Sequence, residues 1–298
     1  MLLWRIKSAG KNAVLVTMMC TLPHGSFHAQ NTETKSLIYN SLLGSVTGGI
    51  GSVINKHKDE RVPHAFVRGF LGGAGGGVLM YTGKRMTWLA VQKHDLGWLW
   101  PSRVVFSAGN SITENAASGR KLWSRWHYDI AFFRLEYVPG TRPVAKVMVS
   151  AFVGFALSAV KSEPDWQNSL AAGTLLLRRR NKIVAIGLTA VTAGNTILMM
   201  DHIGGPYFQE VFAHEMVHVY QFQEFSGVNY YFIREKNEWD KQFPVFHFLS
   251  KYLYGDLNYE MMLMNYFIFQ NGIKSSAYCN NFLEQEAEYL SNKRCACP

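Results

Sequence analysis

The sequence predicts an α+β fold, and three regions with different residue patterns along its 298 residues support that prediction. Residues 30–125 are rich in glycine and have mainly helical spacing. Residues 126–200 contain short apolar or alternating runs that predict strands, and residues 201–298 return to helical spacing. Hydrophobic residues make up 48% of the chain, enough for one large core or two small ones. We therefore expect a helical front, an antiparallel β-meander and a helical end.

Residues 1–29 have the composition of a secretory signal peptide. Three basic residues precede a short apolar core at residues 13–22, and Ser26-Phe27-His28-Ala29 gives a cleavage position after Ala29. The sequence therefore predicts export to the periplasm or the cell envelope, with secretion as an alternative. The formal net charge is +9, a modest basic excess, and an exported chain of this charge is a poor partner for nucleic acid.

Glycine is concentrated near the start of the predicted mature chain. Ten of the 26 glycines lie between Gly44 and Gly77, and small residues at such spacing let helices approach closely. Residues 36–55 carry no charge and could span a bilayer by length, but they include Asn40, several hydroxyls and four glycines. We expect tight packing within the protein, with a membrane helix or membrane-surface contact as the alternative.

The glycine segments do not form a nucleotide site. Gly83-Lys84 lacks the upstream glycine of a phosphate-binding loop, because Val78 stands in that position. Arg85 occupies the place that such a loop reserves for Ser or Thr. The pair is therefore assigned no nucleotide-binding function.

The middle of the chain predicts an antiparallel meander of about five strands. Apolar and polar residues alternate over residues 126–132, and further short runs follow at residues 146–160, 171–179, 183–191 and 196–200. The basic run at residues 178–182 is predicted to be a solvated turn, with contact to anionic lipid as the alternative.

The most informative motif is His214-Glu215-Met216-Val217-His218, an uninterrupted H-E-x-x-H. No Gly or Pro occurs between Tyr207 and Ser226, which favours a helix. On a helix both histidines lie on one face and can bind a single Zn²⁺, while Glu215 between them can reach water at the metal. The alternative is a buried helix whose histidines form hydrogen bonds and bind no metal.

A catalytic zinc usually has three protein ligands, so a further residue is required. Glu224 follows His218 by six residues, but a glycine is needed to turn such a ligand back, and Gln221 occupies that place. Glu224 should therefore continue round the helix and miss the metal. A second candidate is the acidic segment at residues 284–288, where Glu284 and Glu288 share a helix face, although a solvated face is its alternative interpretation.

These two motifs together resemble those of the gluzincins, zinc peptidases that pair H-E-x-x-H with a distant glutamate, often in the form E-x-x-A-D. Residues 284–288 match that form with Glu288 in place of the aspartate. The resemblance implies that residues 201–298 form a zincin-like catalytic region, with Glu284 as the third zinc ligand and Glu288 hydrogen-bonded to a zinc-bound histidine. It also implies an edge strand before the active-site helix, at residues 195–200, that pairs with an extended substrate.

The sequence thus leads to the hypothesis of an exported zinc metallopeptidase that acts on peptides or proteins, as an endopeptidase rather than an exopeptidase. Glu215 is the expected general base. Candidates for a donor to the reaction's oxyanion are Tyr220, Tyr230, His247 and Tyr289, and the sequence does not choose among them. The alternative is a non-catalytic, zinc-stabilised envelope protein or membrane-associated scaffold.

Three cysteines remain after residue 29: Cys279, Cys295 and Cys297. Because disulfides persist outside the cytosol, we expect Cys279 to pair with one of the other two and leave one thiol over. A second metal site at these cysteines is the alternative.

Overall fold

The computed structural model describes residues 33–180, 189–264 and 281–292, and within them it shows a mixed helical and sheet protein, in agreement with the α+β prediction. The predicted signal peptide and all three disulfide candidates lie outside the described residues. The helices are α1 (Glu33–Ile54), α2 (Val62–Gln92), α3 (Leu99–Ala117), α4 (Val149–Ala159), α5 (Trp166–Ala172), α6 (Gly205–Gln223), α7 (Ile233–Gln242), α8 (Pro244–Tyr252), α9 (Asn258–Met264) and α10 (Phe282–Ser291), with 3-10 turns at Leu96–Trp98 and Ser226–Tyr230.

The strands form two small mixed sheets. The first sheet has the order β1 (Trp126–Ile130), β2 (Phe133–Tyr137), β3 (Val144–Met148) and β8 (Leu253–Tyr254), with β3 and β8 parallel and the other pairs antiparallel. The second has the order β4 (Glu163–Pro164), β5 (Leu175–Arg179), β7 (Thr196–Met200) and β6 (Ala190–Ala193), with β5 and β7 parallel and the other pairs antiparallel.

The prediction of a single antiparallel meander is therefore wrong. Only β1, β2 and β3 form such a meander, and most of the run at residues 146–160 is α4 rather than a strand. A short run of apolar residues fits a buried strand and an apolar helix equally well, so periodicity alone could not separate them. The parallel pair of β5 and β7 also depends on a contact that the local sequence does not reveal.

The glycine-rich segments form an antiparallel hairpin of α1 and α2 in which the two backbones touch. A Cβ atom added to Gly44 would lie 2.2 Å from the Gly73 carbonyl oxygen, and one added to Gly48 would lie 2.3 Å from that of Gly69. The expected tight packing is thus what the structure shows. Among the described helices, α1 is the one long and apolar enough to cross a membrane, and half of its most apolar stretch is buried inside the protein.

The hairpin packs on α3, and this helical layer carries α6 against the second sheet. Phe212, Met216 and Val219 of α6 lie in one core cluster with Ile197 and Met199 of β7. On its other sides α6 contacts α2 and α10. The central position of α6 lets residues from three separate parts of the chain converge on it.

We predict that Gly73→Ala lowers the free energy of unfolding by about 3 kcal/mol, because the new methyl group overlaps the opposing helix backbone. The added Cβ would lie 1.9 Å from the Gly44 carbonyl oxygen. Gly75→Ala is the matched control on the same helix, since its Cβ would meet nothing within 4 Å. That control should leave stability equal or raise it by up to about 1 kcal/mol. Urea denaturation measures both, and equal effects of the two substitutions would contradict the close contact.

Candidate metal centre

The two histidines of the H-E-x-x-H motif lie side by side on α6, which runs unbroken through the motif as predicted. His214 and His218 are both buried, and their Nε2 atoms are 3.2 Å apart. Both rings therefore present a nitrogen to the same point, as the four-residue spacing requires.

Helix α10 brings Glu284 to that point. Its Oε2 lies 3.3 Å from Nε2 of His214 and 3.4 Å from Nε2 of His218. The Asn281 side chain caps the start of α10 by accepting hydrogen bonds from the backbone N–H groups of Leu283 and Glu284, which fixes the first turn of the helix. Among the His, Cys, Asp and Glu side chains of the described residues, His214, His218 and Glu284 form the group that is close enough together to hold a metal ion.

The spacing of the three donor atoms fits zinc. Their separations of 3.2, 3.3 and 3.4 Å form a nearly equilateral triangle. Tetrahedral zinc with ligand bonds of about 2.0 to 2.1 Å requires donor atoms about 3.3 to 3.4 Å apart. Two imidazoles and one carboxylate are also a donor set found at catalytic zinc sites. The three side chains thus match a zinc ion without rearrangement.

Burial and the neighbouring charges shift the pKa values of all three side chains. Burial lowers the pKa of His214. Burial also acts to lower the pKa of His218, but Glu284, with Glu215 and Gln221, outweighs it and raises the pKa of that ring to about 9. Burial would raise the pKa of Glu284, but the two histidines hold it well below its usual range. An ionised carboxylate therefore shares this buried pocket with the two rings.

Glu215 lies beside the ligand cluster on α6 and is itself buried. Thr192 of β6 donates a hydrogen bond from its hydroxyl to Glu215 Oε2 at 2.8 Å, and the same hydroxyl oxygen lies 3.0 Å from the Glu215 carbonyl oxygen. The carboxylate of the expected general base is therefore held by a strand of the second sheet. The sequence patterns did not identify Thr192, which lies between two predicted strands.

The edge-strand prediction needs a correction. Residues 195–200 were expected at the edge of the sheet, but β7 lies between β5 and β6. The outermost strand beside α6 in the described part of this sheet is β6, which turns into β7 through Gly194 and Asn195. Gly194 has φ +62°, a conformation that favours glycine in this tight loop.

A chain of hydrogen bonds extends from His218 into the protein. Gln221, one turn further along α6, accepts through Oε1 from His218 Nδ1 at 2.8 Å. Its Nε2 donates to Glu286 Oε2 and to the Leu283 carbonyl oxygen, both at 2.9 Å. With Nδ1 as the donor, His218 presents Nε2 as the nitrogen that can bind a metal. Gln221 thus orients the His218 ring and also ties α6 to α10.

Glu288 does not play the part that the resemblance implied. His218 Nδ1 bonds to Gln221, and His214 Nδ1 has no hydrogen-bond partner in the described part of the chain. Glu288 is half-buried one helical turn beyond Glu284. Because Gln221 reaches His218 from the same helix, the contact assigned to Glu288 is made from α6 instead.

Behind Gln221 lies a fully buried charge cluster in which Lys84 bridges two carboxylates. Its Nζ contacts Glu224 Oε2 and lies 2.9 Å from Glu286 Oε2. Tyr39 donates to Glu224 Oε1 at 3.2 Å, and Asn40 donates to Glu286 Oε1 at 2.8 Å. Burial raises the pKa of Glu224 to about 7, although Lys84 opposes that shift. As expected, Glu224 misses the histidines. We call these charged groups the Lys84 cluster, made of Lys84, Glu224 and Glu286.

Three of the four candidates for an oxyanion donor form hydrogen bonds to other groups: Tyr220 to Ser102 (2.6 Å), His247 to Asp240 (3.1 Å) and Tyr289 to Glu33 (2.9 Å). The hydroxyl of the buried Tyr230 has no hydrogen-bond partner among the described residues, and its ring lies near Arg120 and Arg125. The sequence prediction of such a donor stays open.

We predict that Lys84→Met lowers the free energy of unfolding by about 3 to 5 kcal/mol, because two buried carboxylates lose the cation between them. Lys93→Met, at the exposed C-terminal end of the same helix, should change it by less than about 0.5 kcal/mol. Urea denaturation at neutral pH gives both values. Replacing Glu224 with Gln in the Lys84→Met protein should recover part of the loss, and a Lys84→Met protein as stable as wild type would contradict the cluster.

Comparison with known proteins gives no match: no family model fits the chain, and no curated protein or solved structure is significantly similar to it.

Proposed function

We propose that this chain is a zinc-dependent metallopeptidase in which His214, His218 and Glu284 bind Zn²⁺ and Glu215 is the general base. The observation that supports it most is the donor-atom triangle, with separations of 3.2 to 3.4 Å between atoms from helices α6 and α10. Zinc is favoured over Mg²⁺ and Ca²⁺, because those ions require more ligands, nearly all of them oxygen.

Zn²⁺ in this position supplies a Lewis acid that lowers the pKa of water toward neutrality and polarises a carbonyl group. Glu215 would accept a proton from the attacking water and later give it to the leaving amine. The Thr192 hydroxyl holds Oε2 of that carboxylate, which leaves Oε1 for proton transfer. Gln221 keeps His218 in the tautomer that binds through Nε2.

The position of β6 supports a peptide substrate. Among the described strands it is the edge strand on the side of α6, and its Thr192 touches the expected base. An extended peptide could pair with this edge through main-chain hydrogen bonds and so place a peptide bond near Glu215. Pairing with a strand requires several substrate residues away from the ends of the peptide. This favours an endopeptidase over an exopeptidase.

The arrangement of the helices supports a gluzincin-type active site as the finer form of this proposal. The H-E-x-x-H helix α6 lies against the later helix α10 that carries Glu284, and β6 lies beside α6. The composition of residues 1–29 supports export to the periplasm or envelope.

The second candidate is a scaffold in which zinc only joins α6 to α10. It is favoured by the burial of the three ligands and by the Gln221 bridge between the same two helices, since structural zinc sites are typically closed. The two candidates differ in what Glu215 does, because a structural site has no need of a general base.

We predict that the purified protein binds zinc and that Glu284→Ala loses most of this affinity, because the two histidines alone hold the ion weakly. Glu288→Ala is the matched control, an acidic residue on the same helix that contacts neither histidine. Metal analysis after dialysis against a zinc buffer measures the retained zinc. Full occupancy in Glu284→Ala together with loss in Glu224→Ala would exclude the assigned ligand set.

We further predict that Glu215→Gln keeps zinc and thermal stability but loses at least about a hundredfold in peptide hydrolysis, as expected for a general base. Thr192→Val should lose about tenfold in peptide hydrolysis, because loss of the Thr192 hydroxyl misplaces the Glu215 carboxylate without removing it. Thr189→Val is the control. The assay uses a mixed peptide library at neutral pH with chelator controls. If the zinc-loaded wild type cleaves nothing, or Glu215→Gln cleaves equally fast, the scaffold candidate replaces the peptidase.

A further inference from the structure

Helix α4 carries its large apolar side chains on the outside. Its eleven residues include no charged side chain, and its buried residues are the small Ala151 and Ser158. Leu157 is 70% exposed, Val153 is 51% exposed and Phe152 is 45% exposed. This is the reverse of a helix that packs its apolar face on a core.

The exposed residues form a continuous stripe with helical spacing. Val149, Phe152, Val153, Leu157 and, just past the helix, Val160 follow each other at intervals of one to four residues, and each is at least 43% exposed. We call these five residues the α4 stripe. A contiguous apolar surface of this kind marks a site of interaction.

The inner side of α4 explains why the stripe faces outward. A Cβ atom on Gly154 would lie 2.9 Å from the Ala193 carbonyl oxygen, so the helix fits closely against the end of β6. The small residues Ala151, Gly154 and Ser158 allow this approach, while the partly buried Phe155 packs beside it on Phe132. The orientation is therefore fixed by packing.

Charge differs between the two ends of α4. At the C-terminal end, Lys161 and Arg180 are exposed, and the partly exposed Arg179 donates a hydrogen bond to the Val160 carbonyl oxygen. Two exposed acids lie at the same end, Glu163 and Asp201, whose backbone N–H donates to the Arg179 carbonyl oxygen, and the three cations outnumber them. Among the described residues, two further acids bond to α4 at its N-terminal end: Asp256, which accepts from the backbone N–H groups of Ser150 and Ala151, and Glu260, which accepts from the Ser150 hydroxyl.

We propose that α4 is a membrane-docking helix that inserts the α4 stripe into the interface of an anionic bilayer, with Lys161, Arg179 and Arg180 at the lipid phosphates. An apolar stripe bordered by cations is the pattern of helices that lie in a membrane interface. The stripe is on a convex helix, whereas sites for small ligands are concave, so a flat lipid surface is the better complement.

Docking through α4 would bring the bilayer close to the candidate active site. The helix packs on Ala193, the neighbour of Thr192, which holds Glu215. On the proposed function, the substrates would then be peptide segments at or near the membrane surface. The docking itself does not depend on metal or catalysis, so it can be tested separately.

The test is sedimentation of the protein with vesicles of phosphatidylcholine containing about one third phosphatidylglycerol. Wild type should bind these vesicles, bind pure phosphatidylcholine much less, and be released by salt. Leu157→Glu should weaken binding at least about tenfold, and replacement of Arg180 or Lys161 by Ala about fivefold each. Val245→Glu on α8 is the matched control, a 71% exposed apolar residue outside the stripe, and should bind like wild type.

Unchanged circular dichroism and an unchanged midpoint of urea denaturation confirm that each variant is folded. Equal vesicle binding by wild type and Leu157→Glu overturns the proposal, as does loss of binding in Val245→Glu alone. If Leu157→Glu instead changes the oligomeric state in light scattering, or the KM for peptides without vesicles, the stripe is covered by a second copy or by substrate. Vesicle binding without peptidase activity would reject the proposed function and retain the docking helix.

Discussion

The ammonium group of Lys84, buried between Glu224 and Glu286, is the interaction on which the rest of the site depends. It joins Lys84 of α2 to Glu224, which follows the last residue of α6, and to Glu286 of α10, so it fixes the relative positions of the three helices. Glu286 accepts a hydrogen bond from Gln221, and Gln221 accepts one from His218, so the position of His218 depends on the same contact. A buried charge has little freedom to move without losing its partner, so this contact specifies one arrangement of α6 and α10. The alignment of Glu284 with the two histidines follows from it.

The glycine-rich hairpin makes this burial feasible. A Cβ on Gly83, the residue before Lys84, would lie 2.6 Å from Cβ of Phe106 in α3. A larger residue there would push α2 away from α3 and move the lysine with it. The glycines therefore affect the candidate metal centre although none of them contacts it. Their concentration predicted close helix packing, but only the structure shows which polar group that packing encloses.

The parts of the site that the sequence predicted are those set by local geometry. Two histidines four residues apart on an uninterrupted helix must share a face, so His214 and His218 were identified without any tertiary contact, and Glu284 was identified by its resemblance to a motif. Thr192 and Lys84 could not be found in this way, because each acts through a residue on another element. The strand errors have the same cause: the edge position of β6 depends on β5 pairing with the far side of β7.

Charge balance connects the metal centre to the folding of the protein. Glu215, Glu224, Glu284 and Glu286 are all buried near α6, and the cations buried among them are Lys84 and His218, whose pKa is raised to about 9. Part of the remaining negative excess is relieved at Glu224, whose pKa burial raises to about 7. A divalent cation between the histidines and Glu284 would replace the His218 proton and add further positive charge beside these carboxylates. Because its ligands come from two helices that meet only in the folded chain, the proposed zinc would bind the native state in preference to the unfolded chain. The proposed ion would therefore also stabilise the junction between α6 and α10.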